Sequence, residues 1–196
     1  MSTPKKKSKV IWLIVIVALL PVVAAYMAFF TGIGVPKNTV NTGTILRPAI
    51  STGDLLDAST QQHFSEVKKW RILIPIVNTC DDYCGANLYT TRQVHIRLAQ
   101  KSERLERYAV IAGDTLSDAE LDSIKKDHPR MNYINVSDDV WRTWQQQLVL
   151  PETVNNHYYL LVDQEGFAMM VYTSEIHGND LLKDLKRALK FSIDYQ

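Results

Sequence analysis

The chain has 196 residues, enough for one domain with additional segments, and its 22 Lys and Arg against 21 Asp and Glu give a formal net charge of +1. Four of the positive charges lie in the first nine residues, and without them eighteen basic and 21 acidic side chains leave a net charge of about −3. No basic stripe follows, which argues against a nucleic-acid partner.

An uncharged segment follows the basic N-terminal tail, residues 1–9. Residues 10–30 contain no Asp, Glu, Lys or Arg, and as a helix they would be about 31 Å long, close to the thickness of a bilayer's hydrocarbon core. Trp12 and Tyr26 lie toward the two ends of this segment, where amphipathic rings suit the membrane interface. We therefore predict a transmembrane helix over residues 10–30 that anchors the chain in a bilayer.

A cleaved signal peptide is the alternative interpretation of this segment. Its apolar core would usually span about 7–15 residues and end at a small-residue cleavage site. Here the apolar run is longer, and Met27 to Phe30 continue it beyond Ala24 and Ala25, which favours an uncleaved helix. The flanking lysines predict a cytoplasmic N-terminus by the positive-inside rule. The sequence thus predicts a single-pass inner-membrane protein with its C-terminal domain in the periplasm, or in the intermembrane space of a mitochondrion.

Glycine and proline punctuate the region after the predicted membrane helix. Residues 31–64 are predicted to be a linker and an extended N-terminal arm, part of which packs on the domain through its scattered apolar residues. Residues 65–196 are predicted to form the folded domain.

Strand and helix patterns alternate through this domain in the order β-α-β-α-β-α-β-β-α. Such alternation is typical of an α/β fold, and this order is the thioredoxin-like one: a mixed, mainly parallel sheet with helices on both faces. A terminal hairpin adds an antiparallel edge to this sheet. Pro75 is unfavourable in the first core strand, because it has no N–H group to donate to a neighbouring strand. The predicted strands are 71–77, 107–111, 131–136, 158–162 and 167–172; the predicted helices are 85–100, one capped at Ser117, one capped near Ser137, and one starting at Asn179 or Asp180.

The chain's only two cysteines, Cys80 and Cys84, lie at the predicted turn between the first core strand and the first core helix. Unpaired N–H groups and the helix dipole favour a thiolate there, whereas Asp81 and Asp82 oppose that dipole. In an oxidising compartment the pair could form a disulfide, exchange electrons or hold a metal. A purely structural disulfide is the alternative, although so small a loop gains little stability.

Of the five histidines, only one is expected near the cysteines. His95 lies about 16 Å along the predicted helix from the second cysteine, too far to share a metal. His63 and His128 fall in polar segments and are expected to be solvated, and His177 is expected to have a cap or surface role. His157 opens the strand before the hairpin, which enters beside the thiols in a thioredoxin-like sheet. It could complete a two-sulfur, one-nitrogen site, or it could be a half-buried strand-end histidine.

The domain resembles the Sco/SenC family of membrane-anchored, thioredoxin-like proteins that serve cytochrome c oxidase assembly. The resemblance covers about residues 65–192. Cys80, Asp82, Cys84 and Leu88 match the family's Cys-Pro-x-x-Cys-Pro motif, its middle Asp and its following Leu. The segment from Tyr159 to Gly166 resembles the family's strand and acidic-Gly turn.

Three positions depart from the family pattern. Asp81 and Gly85 replace the two prolines of the motif, and the position of the family's copper-binding histidine falls near Asn155. His157 is two residues later, hence on the same face of an extended strand.

The resemblance implies a periplasmic thiol protein that assists assembly of the oxidase copper site, with an oxidase subunit or assembly factor as partner. It would act by binding or passing Cu(I) through Cys80 and Cys84, with His157 as the candidate third ligand, or by thiol-disulfide reduction in which Cys80 attacks and Cys84 resolves. A non-catalytic thioredoxin-like scaffold in a membrane assembly complex is the alternative.

Overall fold

The computed structural model describes residues 6–31, 41–113, 116–148, 150 and 157–194. The chain divides into two compact units, Met1–Val40 and Asn41–Gln196. The first contains helix α1 (Lys6–Thr31), with Pro21 inside it. Residues Val10–Thr31 of this helix are long and apolar enough to cross a membrane, in agreement with the predicted span.

The second unit alternates strands and helices almost as predicted. Each of the predicted elements is present, with ends shifted by a few residues, and two additional elements precede them. In chain order the elements are β1 (Thr44–Ser51), α2 (Ala58–Glu66), β2 (Trp70–Val77), α3 (Asp82–Arg97), β3 (Leu105–Ala112), α4 (Asp118–Asp127), β4 (Asn132–Val136), α5 (Asp138–Gln145), β5 (Tyr158–Val162), β6 (Phe167–Thr173) and α6 (Gly178–Phe191).

The strands form one six-stranded sheet in the order β1-β6-β5-β2-β3-β4. Strands β2, β3 and β4 are parallel, whereas β5 pairs antiparallel with β2, β6 with β5, and β1 with β6. The mixed α/β fold is confirmed. Its sheet is less parallel than predicted, because three of the five described pairings are antiparallel, and the predicted arm contributes one of them through β1.

Helices cover both faces of the sheet, as predicted. Leu88 of α3 and Leu185 of α6 pack with Ile74 on one face. Phe64 of α2 and Trp141 of α5 pack on the opposite face. Burial of these apolar side chains on both faces explains why β2 is an uninterrupted run of buried residues from Arg71 to Ile76.

Two elements were not predicted. The segment that forms β1 carries Pro48, and its register shifts between Ile45 and Ile50, so it lacks a regular alternation. Helix α2 is polar except for the buried Phe64, and it begins after Asp57, whose carboxylate accepts the N–H of Thr60 at 2.7 Å.

Pro75 lies in a central strand but at a point where that strand has lost one neighbour. Strand β2 pairs with β3 along its whole length, whereas its pairing with β5 covers only Arg71 to Leu73. A residue without an N–H is tolerated where one side of the ladder has ended.

Candidate functional site at the turn between β2 and α3

The cysteine turn begins where β2 ends at Val77. Asn78 has a φ of +70°, a left-handed conformation that Asn adopts more readily than most residues. Helix α3 then begins at Asp82, three residues earlier than predicted, so Cys84 lies in its first turn. The left-handed conformation at Asn78 turns the chain after β2, so that both cysteines lie at the N-terminus of α3.

Cys80 and Cys84 form a disulfide, with their Cα atoms 5.1 Å apart. The two sulfurs differ in burial: Cys84 is only 7% exposed and belongs to the core beneath α3, whereas Cys80 is half-buried. A nucleophile from solvent therefore has better access to Cys80. In thiol chemistry, such an asymmetry makes the more exposed sulfur the more accessible one for exchange.

Asp81 is the helix cap between the cysteines. One carboxylate oxygen accepts the backbone N–H of Cys84 at 2.9 Å, and the backbone carbonyl accepts the N–H of Gly85 at 2.8 Å. The other carboxylate oxygen lies 3.6 Å from Nδ1 of His157. The sequence pattern indicated only an electrostatic role for this carboxylate. An Asp immediately before a helix start is a cap signal that would have identified its structural role.

His157 lies against this turn. Its ring stacks on Tyr83, the residue before Cys84, with centroids 4.4 Å apart, and its side chain is 35% exposed. The antiparallel register between β2 and β5 explains the position, because continuing it beyond Leu73 and Leu160 places His157 opposite Ile76. The structure thus brings His157, Asp81 and Tyr83 together beside the disulfide. Tyr83 was not singled out from the sequence, since no local pattern pairs it with a residue 74 positions away.

The described residues contain no preformed metal site. Among them, no group of three or more His, Cys, Asp or Glu side chains is arranged to hold a metal ion. Both sulfurs are bonded to each other, and the imidazole ring of His157 contacts Tyr83 and Asp81. The donor types suit Cu(I), but only reduction of the disulfide would provide two thiolates. Asn155, where the family's copper-binding histidine would fall, and Pro151 lie outside the described residues.

The tyrosines that follow His157 have a structural role. Tyr158 and Tyr159, the first residues of β5, are each 1% exposed, and burial raises the pKa of both phenols. Both hydroxyls therefore remain protonated at neutral pH and do not supply a base to the disulfide turn.

The other four histidines lie apart from the cysteines. His177 caps α6, because its Nδ1 accepts the N–H of Asn179, as expected. His63 pairs with Glu106 at 3.1 Å and is only partly solvated, and Nε2 of His95 lies 3.2 Å from the carbonyl of Leu105. The expectation that His128 is solvated is wrong: it directly follows the last residue of α4, is only 9% exposed, and its Nδ1 is buried.

Structures of known proteins share this architecture. The chain aligns with copper-bound Sco1 of yeast at 16% identity and a TM-score of 0.55, over 69% of this chain and 86% of that one. It aligns with copper-bound ScoI of Arabidopsis thaliana at 10% identity and 0.52, over 79% and 100%. It also aligns with BsSco, a member of the Sco family of cytochrome c oxidase assembly proteins in which a disulfide switch has been identified, at 9% and 0.51, over 80% and 98%.

These identities are low, so the likeness shows a shared fold, the fold that the sequence resemblance implied. No curated protein matches the chain. A family model described as the C-terminal domain of transmembrane-like, thioredoxin-like proteins matches residues 70–192, which include every element from β2 to α6. The chain therefore belongs to this transmembrane-like, thioredoxin-like family.

Proposed function

We propose that the chain is a membrane-anchored periplasmic thiol protein that assists assembly of the copper site of cytochrome c oxidase by thiol-disulfide exchange. The observation that carries the proposal is the Cys80–Cys84 disulfide at a helix N-terminus, with one sulfur half-buried and the other buried. The shared fold with Sco proteins, one of which has an identified disulfide switch, supports it.

The exchange would use the two sulfurs in order. The Cys80 thiolate attacks a disulfide of the client, breaks its S–S bond and releases one client thiolate. The Cys84 thiolate then attacks Sγ of Cys80 and releases the second client sulfur. The client gains two electrons and two protons, and the Cys80–Cys84 disulfide forms. A dithiol reductant on the same side of the membrane must return the pair to the thiol state.

Substitution of the cysteines tests this order of attack. Cys84→Ser should accumulate mixed disulfides with clients through Cys80, because the resolving thiol is gone, whereas Cys80→Ser should accumulate few. Trapping on non-reducing gels measures this difference. Equal trapping by both variants would contradict the assigned roles.

A cellular experiment separates this role from a scaffold. The double variant Cys80→Ser with Cys84→Ser should lose cytochrome c oxidase activity while the protein remains at its normal level in the membrane. A scaffold without thiol chemistry would retain that activity, and retention would overturn the proposal.

Cu(I) transfer is the second candidate function, and the position of His157 beside the turn favours it. Copper would be cargo here, held by the reduced cysteines with His157 as a third donor. Anaerobic titration of the reduced chain with Cu(I) should then give one tight site, weakened about tenfold by His157→Ala, as for other lost metal-site partners. His177→Ala is the matched control. No tight one-to-one site would eliminate this candidate and leave thiol exchange.

A further inference from the structure

A second candidate site lies at the other end of helix α3. A cavity of about 400 Å³ opens beside the last turns of α3, the start of β3 and the segment after α4. Cys84 of the disulfide is in the first turn of α3, whereas Arg92, His95 and Ile96 line the cavity from the last turns, about 12–18 Å farther along the helix axis. The cavity is therefore separate from the cysteine turn.

The cavity collects five nitrogen-bearing side chains from three parts of the fold. Arg92 and His95 come from α3, Arg107 from β3, and His128 and Arg130 from the segment that follows α4. Among the residues that the structure describes, none of the three guanidinium groups forms an ion pair with a carboxylate. The carboxylate of Asp127 is close enough to act on His128 but pairs with none of these three groups, so no ion pair within the described protein neutralises their charge.

Arg107 is a buried cationic side chain in the wall of this cavity. It is 2% exposed, and its bonds go to neutral oxygens: the Leu88 carbonyl at 2.8 Å and the Thr91 hydroxyl at 2.9 and 3.2 Å. Burial, together with the charge of Arg92, lowers the pKa of Arg107 to about 10. Buried charges are normally paired, because an unpaired one is costly to remove from water. These contacts with α3 explain the position of Arg107, but they leave its charge uncompensated.

The two histidines of the cavity also lie, buried or half-buried, close to positive charges. Nδ1 of His128 is buried and has no hydrogen-bond partner among the described residues. Burial, and then the charges of Arg107 and Arg92, lower the pKa of His128, although the nearby Asp127 acts in the opposite direction. Burial also lowers the pKa of His95, helped by Arg107 and Arg130. An anion in the cavity would offset the positive charge of the arginines and could accept a hydrogen bond from a ring N–H of either histidine.

The geometry points to a ligand with a phosphate group, and we propose that this cavity binds a small phosphorylated molecule. A guanidinium group can donate two parallel hydrogen bonds to the oxygens of a phosphate or a carboxylate. A phosphate monoester carries nearly two negative charges at neutral pH, so it neutralises the positive charge of the three arginines better than a carboxylate does. The volume exceeds that of a phosphate ion, and Ile96, Ala99 and Pro129 supply an apolar wall for an organic part. A soluble metabolite and a lipid headgroup both present this chemistry.

Calorimetry on the full chain in uncharged detergent tests the proposal. Glycerol 3-phosphate should bind saturably at up to about millimolar concentrations, and glycerol should not bind. Arg92→Gln and Arg130→Gln should each weaken binding about tenfold through loss of a charge-assisted contact. Both residues are more exposed than Arg107, so their substitution spares the core. Short-chain phosphatidic acid, a lipid that also carries a phosphate monoester, is titrated separately and distinguishes a lipid headgroup from a soluble metabolite by which of the two binds more tightly.

Arg97→Gln is the matched control. Arg97 is on the same helix but donates to Oδ1 of Asn179 at 2.6 Å and does not line the cavity, so its substitution should leave binding unchanged. In NMR spectra, the ring protons of His95 and His128 should shift with the same saturation as the heat signal, whereas those of His63 and His177 should not. Absence of saturable binding by both phosphate compounds, or an equal loss in Arg97→Gln, would overturn the proposal.

Discussion

Asp81 illustrates how one side chain organises the cysteine turn. It occupies a position where the Sco/SenC pattern has proline, and it caps α3 through the N–H of Cys84. The same carboxylate faces His157, which stacks on Tyr83. One residue thereby ties the disulfide loop, the helix start and the beginning of β5 together.

Substitution of Asp81 separates its two contacts. Asp81→Ala should lower the free energy of unfolding by about 1 kcal/mol, because the N-cap is lost. Asp81→Asn should cost much less, since an amide oxygen also accepts the Cys84 N–H. Urea unfolding of the chain in uncharged detergent, followed by near-ultraviolet circular dichroism, measures both. Equal losses in the two variants would mean that the charge facing His157 matters more than the cap.

The burial of His128 predicts a pH dependence of stability. Its pKa in the folded chain lies below the ordinary value of 6.5, so between those two values the unfolded chain binds more protons. Stability should therefore be fully present above about pH 6.5 and decline as the pH falls toward the folded pKa. His128→Gln should flatten this decline between pH 7 and 5. His63→Gln is the control, and an equal flattening there would contradict the assignment to His128.

At the scale of elements, α3 departs from the Sco/SenC sequence pattern at Gly85, where that pattern has proline. The Gly85 N–H donates to the Asp81 carbonyl, a bond that the family's proline could not make. A Cβ at this position would meet no atom within 4 Å. The glycine is therefore not required by packing, although it weakens the first turns of the helix.

Gly85→Ala should consequently stabilise the folded chain by about 0.5–1 kcal/mol, the usual difference in helix propensity. Urea unfolding measures this gain. Gly113→Ala is the contrasting variant, because Gly113 has a φ of +72° and a Cβ there would lie 2.6 Å from Oδ1 of Asp138. It should destabilise the chain, and a stabilising result there would contradict the described turn.

The elements from β2 onward could be predicted because each has a local signal. Strand β2 is a continuous apolar run, α4 begins with the Ser117 and Glu120 capping box, and α6 has one apolar face. Strand β1 could not be predicted, because the position of the residues that precede it depends on contacts with residues far away in the sequence. The N–H groups of Thr42 and Gly43 both donate to the Asp184 carboxylate, more than 140 positions away.

The candidate site was predictable to a similar extent. The cysteines and their strand-to-helix turn followed from local patterns, and the expected place of His157 followed from the order of strands. The contacts of Asp81 and Tyr83 with His157 depend on antiparallel register across the sheet, which a single sequence does not specify.

At the scale of the whole molecule, α1 is long and apolar enough to cross a membrane, and the proposed anchor would determine on which side any thiol chemistry occurs. Alkaline phosphatase fused to the C-terminus should be active in a Gram-negative host, since that enzyme requires export to the periplasm. Deletion of residues 1–30 should abolish the activity, and replacement of the four N-terminal lysines by glutamine should lower it by weakening the orientation signal. An active fusion without residues 1–30 would contradict the predicted anchor.

Helix α3 holds Cys84 of the disulfide in its first turn and lines the basic cavity with its last turns. Suppose that a ligand of the cavity prefers the chain with reduced cysteines. Thermodynamic reciprocity then requires reduction to tighten ligand binding by the same factor by which the ligand favours reduction. A tenfold preference would shift the midpoint potential of this two-electron couple by about 30 mV. The reduction potential, measured with and without glycerol 3-phosphate, therefore reports whether the two ends of one helix are energetically coupled.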